Sequence, residues 1–307
     1  MQKQKVIVIG GPTASGKTAL SIELAKKING EIVSADSMQI YKDMDIGTAK
    51  PTSQEMQGIQ HYILDFLSPE ERFSVADYKK RAKEAIKEIL DKGKVPIVIG
   101  GTGLYIEALI YEIEFMQIDT DLSYRKELEK IVEEKGLEYL YKKALEIDPE
   151  AMEKISQNDQ KRILRVLELY HQTGKTKTHL DAESRKEAEY DYKLFAINMD
   201  REKLYDRINR RVDIMLDQGL VEEVRNLLKK YKEFPTAMQG LGYKEVVEYL
   251  NGNSSYEEMV EKIKTESRRY AKRQITWFKK YENLTWLDGL DDVQKNVEII
   301  INQYNNW

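Results

Sequence analysis

Short apolar runs alternate along the chain with longer stretches whose apolar residues recur every three or four positions. Residues 6–9, 31–35, 61–65, 95–99 and 194–199 read as strands. Residues 74–92 read as a helix, in which Ser74 and Asp77 form a capping box and Val75, Tyr78, Ala82, Ala85, Ile86 and Ile89 keep helical spacing. Strands separated by helices predict an α/β fold, a parallel sheet core flanked by helices. From about residue 112 to residue 192 the alternation stops. Only amphipathic helices are visible there, at 122–135, 137–146 and 159–172, with one more opened by Asp148 and Pro149, a good N-cap followed by proline at the first helical position. Gly174 suits the left-handed stop of the 159–172 helix. The pattern therefore predicts an inserted all-helical subdomain, 112–192, within a core made of 1–111 and 193–307. After residue 199 the chain is again mostly helical, with one late strand near 284–287.

Composition narrows the class without deciding it. The 307 residues are 41% hydrophobic and 33% charged, ordinary for a helix-rich globular protein, and no run approaches the roughly 20 apolar residues of a membrane span. Met1 to Lys5 leads straight into the first strand, so no signal peptide is expected. There are no cysteines, which removes disulfides, zinc thiolates and cysteine nucleophiles together. His61, His171 and His179 are not at metal-ligand spacing. A cytoplasmic enzyme without a built-in metal site is the expectation. The net charge of −4 is not that of a nucleic-acid binder. Its distribution is uneven, however. Lys262, Lys264, Arg268, Arg269, Lys272, Arg273, Lys279 and Lys280 face a single acid, Glu266, and interleave with Tyr270, Trp277 and Phe278. Such a stretch is either a solvated helix face or a phosphate-backbone footprint.

The first apolar run ends in the segment GGPTASGKT, from Gly10 to Thr18, and a helical stretch follows. Gly11, Pro12, Thr13, Ala14, Ser15, Gly16, Lys17 and Thr18 make the phosphate-binding loop pattern in the strand-to-helix context it requires. Glycines let successive N–H groups converge on an anion at a helix N-terminus. Lys17 adds a point charge, and Thr18 offers a hydroxyl to a phosphate-held magnesium ion (Mg2+). A glycine-rich turn without a ligand is the weaker alternative, because strand and helix flank the pattern.

Asp36 follows the second strand, and the turn Gly100-Gly101-Thr102-Gly103 follows the fourth. Ligands on parallel sheets sit at the carboxyl ends of the strands, so carboxylate, hydroxyl and phosphate cradle should share one crevice. Alternatively, Asp36 caps a turn and Thr102 caps the helix after it. Further on, Leu204, Ile208 and Val212 form an apolar stripe opposite Arg207, Arg210 and Arg211. Those guanidiniums are either solvated or clamp an anion. On these residues alone a small-molecule or nucleotide kinase, ATP-binding and with Asp36 as base, competes with other diphosphate chemistry. A nucleotide-dependent RNA-binding switch would need no carboxylate opposite the cradle.

Longer runs resolve that choice. DSMQIYKDMDIGTAKPT (36–52), GPTASGKT (11–18), VIGGTGLY (98–105), NDQKRILRVLE (158–168), RINRRVDIML (207–216), MQGLGYKE (238–245) and AKRQITWF (271–278) resemble the bacterial tRNA dimethylallyltransferases, the IPP transferase family. The likeness covers nearly the whole chain in order. The zinc-finger extension of eukaryotic relatives is absent, and the adenylate isopentenyltransferases of cytokinin synthesis would lack the insertion and the basic C-terminal helix. The resemblance implies a monomer that transfers the dimethylallyl group of dimethylallyl diphosphate to N6 of adenosine 37, next to the tRNA anticodon, with release of pyrophosphate. It implies Asp36 as the base for N6, with Lys17, the loop amides, Thr18 through magnesium, Thr102 and Arg211 stabilising the leaving group. It also implies that Asp36, Ser37, Met38, Gln39, Thr102, Arg125, Lys161, Arg162, Ile163, Leu164, Arg165, Met238, Gln239, Gly240, Leu241, Gly242 and Tyr243 contact the anticodon stem-loop, whose target base must flip out of its stack.

Overall fold

The computed structural model describes residues 3–115 and 122–307. Met1 and Gln2 of the expected lead-in and residues 116–121 of the expected insertion lie outside the described residues. Two compact units emerge: Met1–Ile110 with Ala188–Trp307, and Tyr111–Glu187.

The first unit is built on one six-stranded sheet. Its strands are β1 (Lys5–Gly10), β2 (Gly30–Ser34), β3 (His61–Tyr62), β4 (Val95–Ile99), β5 (Asp191–Asn198) and β6 (Leu284–Asp288). They lie in the order β3-β2-β4-β1-β5-β6, every pair parallel. Ile7, Ile9, Ile32, Ile97, Phe195 and Ile197 of the strands pack with Leu20 and Leu24 of the Lys17–Ile28 helix and Ile300 of the Val293–Asn305 helix. Each such side chain, fully buried, contributes about 1.5–3 kcal/mol. That burial on both faces explains why the strands read as unbroken apolar runs. Registry pairs Ile9 of β1 with Ile99 of β4, and Ile99 with Ser34 of β2. The loops that leave these three strands, carrying Gly11, Gly100 and Asp36, therefore start side by side.

Two strand boundaries differ from the pattern. The expected 61–65 strand pairs only at His61 and Tyr62, because Ile63 and Asp65 take left-handed φ values of 58° and 54° that carry the chain off the sheet. β5 begins at Asp191, so the end of the segment expected to be helical belongs to the sheet, next to β1.

Among the described residues of the second unit, every regular element is a helix: Leu122–Lys135, Leu137–Ile147, Pro149–Glu153, Gln160–Thr173 and Lys177–Ser184. Asp148 caps the short Pro149 helix through Ala151 N–H at 3.1 Å and also accepts from Thr178 N at 2.8 Å. Asp159 and left-handed Gly174 bound the Gln160–Thr173 helix. Leu128, Leu140, Met152, Ile163, Leu164 and Leu167 form the unit's core.

Candidate functional site

The phosphate loop takes its shape from its own backbone. Gly11 has φ 137°, and a Cβ there would lie 3.0 Å from the Ile197 carbonyl oxygen. Ala14 at φ 61° and Gly16 at φ 92° turn the chain in the left-handed region before the helix begins at Lys17. Lys17 Nζ folds back to donate to the Pro12 carbonyl at 2.6 Å. Its pKa is pushed down to about 7 by burial and by the Arg211 guanidinium, with Asp36 pulling the other way. Arg211 Nη1 donates to Thr13 Oγ1 at 3.4 Å. Burial lowers the Arg211 pKa as well, against the pull of Asp36 and Glu55. Two basic groups are thus crowded together, with Asp36 the carboxylate that acts on both, an arrangement that an anion would relieve.

Asp36 Oδ1 accepts from the N–H groups of Met38 at 2.8 Å and Gln39 at 3.2 Å. The turn-capping role is real, and it leaves Oδ2 outside those two bonds. Thr102 heads the Gly103–Ile110 helix, yet its Oγ1 accepts from Ser37 N at 3.2 Å, so the hydroxyl ties the fourth-strand turn to the Asp36 loop.

A cavity of about 370 Å³ opens among these groups. Thr13, Lys17, Thr18, Asp36 and Arg211 line it, as do Ser37, Met38, Gln39 and residues 239–242. One wall is apolar, from Ile208, Val212, Met215, Leu220 and Ile263. A second cavity of about 460 Å³ is lined by Ala14, Ser15, Gly16 and Arg207, and Lys17, Thr18 and Arg211 border both cavities. Arg210 pairs instead with Asp206 at 2.9 Å, so the three arginines do not act as one face.

Several expected contact residues have other duties. Ile163 and Leu164 are fully buried in the helical unit's core, because they sit on the inner face of their helix, and their side chains are closed to RNA. On the same helix Lys161 and Arg162 are exposed. Arg125 Nη1 is held by buried Glu168 at 2.8 Å, and Arg165 faces the same carboxylate at 3.6 Å. Met238 is buried outside the cavity lining. Tyr243 is buried too, its hydroxyl donating to Glu223 at 2.7 Å.

Glu223 was not signalled by any motif. Its carboxylate accepts from Asp45 N (2.9 Å), Ile46 N (2.7 Å) and Gly47 N (3.1 Å), three consecutive amides of the loop that walls the cavity. Tyr270 and Gln274 also line the cavity, from the Tyr256–Phe278 helix that carries the basic run. The run itself is partly spoken for within this unit. Lys264 pairs with Asp213 at 2.6 Å, Arg268 with Asn209 at 2.6 Å and Arg269 with Glu266 at 2.6 Å. A sequence signal for Gln274 existed: it is a lone amide in the buried stripe Met259, Ile263, Ser267, Ala271, Gln274 and Phe278.

The parallel sheet, the loop and the crevice at its carboxyl edge define a P-loop α/β protein. The protein family described as IPP transferase matches residues 39–281. A tRNA dimethylallyltransferase of Acetivibrio thermocellus is 55% identical across 97% of this chain and 95% of its own length. One of Bacillus anthracis is 50% identical across 98% and 95%. The crystal structure of the full-length tRNA isopentenylpyrophosphate transferase from Bacillus halodurans superposes with a TM-score of 0.75 at 42% identity, covering 99% of this chain and 96% of that one. A eukaryotic dimethylallyltransferase captured acting on tRNA superposes with a TM-score of 0.80 at 32% identity, covering 99% and 80%. The chain belongs to the IPP transferase family.

Proposed function

We propose that this protein transfers the dimethylallyl group of dimethylallyl diphosphate to N6 of the adenosine next to the anticodon in tRNA, releasing pyrophosphate. The observation that carries the reading is one cavity holding a phosphate loop, a fixed carboxylate and an apolar wall, in a chain whose close relatives are named for this reaction. Lys17, the loop amides and Arg211 would grip the diphosphate. Val212 and Met215 follow Arg211 on the same helix, so the prenyl tail of a diphosphate held there has an apolar surface within reach.

The exocyclic amine is a weak nucleophile, because its lone pair is shared with the ring. Asp36, pinned through Oδ1, would accept one N6 proton as the N–C bond forms and the allylic C–O bond breaks, its electron pair leaving with the pyrophosphate. Lys17, Arg211 and the loop N–H groups stabilise the charge that accumulates there. Thr102 holds the Asp36 loop through Ser37.

Among the described residues no group of three or more His, Asp or Glu side chains could hold a metal by themselves. A magnesium ion bound mainly by diphosphate oxygens and water needs little protein, and the Thr18 hydroxyl in the cavity lining fits that role. When bound, such an ion would neutralise part of the diphosphate charge.

The exposed Lys161 and Arg162 of the helical unit would meet tRNA phosphates, which position the substrate without reading sequence. Residues 239–242 and Ser37, Met38 and Gln39 would surround the flipped base. A monomer is the expected state, which sedimentation of the purified protein tests, and the cytoplasm is the expected location, which fractionation of cells tests. Among the described residues no helix is long and apolar enough to cross a membrane.

The deciding assay incubates the protein with unmodified tRNA, magnesium and either labelled dimethylallyl diphosphate or γ-labelled ATP. Prenylated tRNA and pyrophosphate, with ATP untouched, are expected. Phosphate transfer from ATP in place of prenylation would restore the kinase reading.

A further inference from the structure

Gln274, on the Tyr256–Phe278 helix, sits where two functional loops converge. Its amide oxygen accepts from Thr13 N–H at 2.9 Å, and its amide nitrogen donates to the Gly101 carbonyl at 3.0 Å. Thr13 belongs to the phosphate loop. Gly101 precedes Thr102, whose hydroxyl holds the Asp36 loop through Ser37. One buried amide therefore spans the gap between the group that would grip the leaving diphosphate and the group that would orient the attacking amine.

Neighbouring contacts leave that rung little slack. A Cβ on Gly101 would lie 2.0 Å from Gln274 Nε2, one on Gly103 would lie 2.2 Å from Trp277, and one on Gly10 would lie 2.3 Å from Phe278. Trp277 and Phe278 lie three and four residues after Gln274, so a single helix face is keyed into three glycines, Gly10 at the end of β1 and Gly101 and Gly103 after β4. The chemistry of the rung is equally restrictive. Its main-chain partners are one N–H and one C=O, which a primary amide answers at once, and the buried Tyr270 hydroxyl one helical turn back bonds the same amide. An ionised carboxylate has no donor for Gly101, a thioether has neither strong donor nor strong acceptor, and asparagine is one methylene too short.

We propose that Gln274 is a positioning residue for the transfer, setting the distance between the phosphate loop and the 100–103 turn. It touches no reacting atom. Its effect is on alignment, where a misplacement of about 1 Å can cost about 100-fold in rate. The proposal rests on the prenyl-transfer reading of the same cavity.

The test uses the full chain with tRNA and dimethylallyl diphosphate, comparing wild type, Gln274→Met and Gln274→Glu. Single-turnover transfer by Gln274→Met should fall by about 30- to 100-fold, while Kd for donor and for tRNA stays within about threefold and circular dichroism shows a folded protein. Gln274→Glu adds a readout that mere structural support would not move. Burial, the Gly101 carbonyl and the Asp36 and Glu266 carboxylates on the same lining oppose ionisation of that carboxyl, against the pull of Lys17, Arg211 and Arg273, and its protonated form can again donate to Gly101 while accepting from Thr13. Its rate relative to wild type should therefore rise as the pH is lowered from 8 toward 6. Wild-type rates in Gln274→Met, a loss confined to donor Kd, or a pH-independent ratio for Gln274→Glu would each overturn the assignment and leave the prenyl-transfer reading standing. Failure of the wild-type protein itself to prenylate tRNA would overturn that reading.

Discussion

Glu223 offers the most direct way to separate the cavity's shape from its chemistry. Its two carboxylate oxygens take four hydrogen bonds, three from the successive amides of Asp45, Ile46 and Gly47 and one from buried Tyr243. Converging amides of this kind form a small anion-binding concavity, here filled by a side chain. The pinned segment leads into Thr48 and Ala49, whose carbonyls hold the Gln39 side-chain amide at 3.1 and 3.2 Å on the cavity wall. Hydrogen bonds to a charged group contribute about 1.5–3 kcal/mol each when dry, and the exposed position of Asp45 reduces that here. Leaving the Tyr243 O–H donor without its acceptor adds about 1–3 kcal/mol. Glu223→Ala should then release the loop by about 3 kcal/mol, or roughly two decades in its opening equilibrium. Glu223→Gln keeps one acceptor oxygen but turns an NH2 toward the other donors, and should cost about half as much. Hydrogen exchange of the Asp45, Ile46 and Gly47 amides measures the opening directly, with about 100-fold faster exchange expected in the alanine variant. Prenyl transfer to tRNA should fall in the same order, wild type above glutamine above alanine, with donor affinity kept. Exchange at those amides as slow as in the wild type would refute the clamp.

Other expectations follow from the same geometry. Asp36→Ala should lower kcat by about 10²- to 10⁴-fold with donor affinity nearly unchanged, as loss of a general base does; near-normal turnover would remove Asp36 from that role. Lys17 holds its proton only below about pH 7 in the free protein, against an ordinary 10.5. Between those values the folded state binds fewer protons than the unfolded chain, so this group's contribution to stability grows with pH and is lost as pH falls through about 7. A bound diphosphate favours the charged amine, so donor binding should take up a proton and weaken by up to about tenfold per unit from pH 7 to 9. Calorimetry in buffers of unlike ionisation enthalpy reads that uptake, and a pH-independent Kd would contradict it. Reversing Lys161 and Arg162 to glutamate should weaken tRNA binding and flatten the slope of log K against log salt by about one to two units, without touching donor affinity. Arg165 is left out of that pair because a glutamate there would face buried Glu168.

What could be read from the sequence was local. The phosphate loop, the Ser74–Asp77 capping box at its two hydrogen bonds, and the Asp159 and Gly174 helix ends each depend on residues within a few positions of one another. The 61–65 segment was misjudged because alternation reports which residues can be buried, whereas pairing depends on backbone angles that Ile63 and Asp65 do not announce. Charge was also a poor guide to role. Lys264, Arg268 and Arg269 look like a phosphate footprint until Asp213, Asn209 and Glu266 take them up, and Arg125 looks available until Glu168 does. Residues with the longest reach were the least visible. Gln274 bonds backbone groups 261 and 173 positions away, and Glu223 bonds backbone amides as many as 178 positions away. A side chain that binds main chain leaves no partner residue type to find, since any amino acid but proline supplies the N–H and every one supplies the C=O. Residue chemistry therefore marked the groups that would face substrate, while the main-chain partners of the groups that hold those loops in place became visible only with the fold.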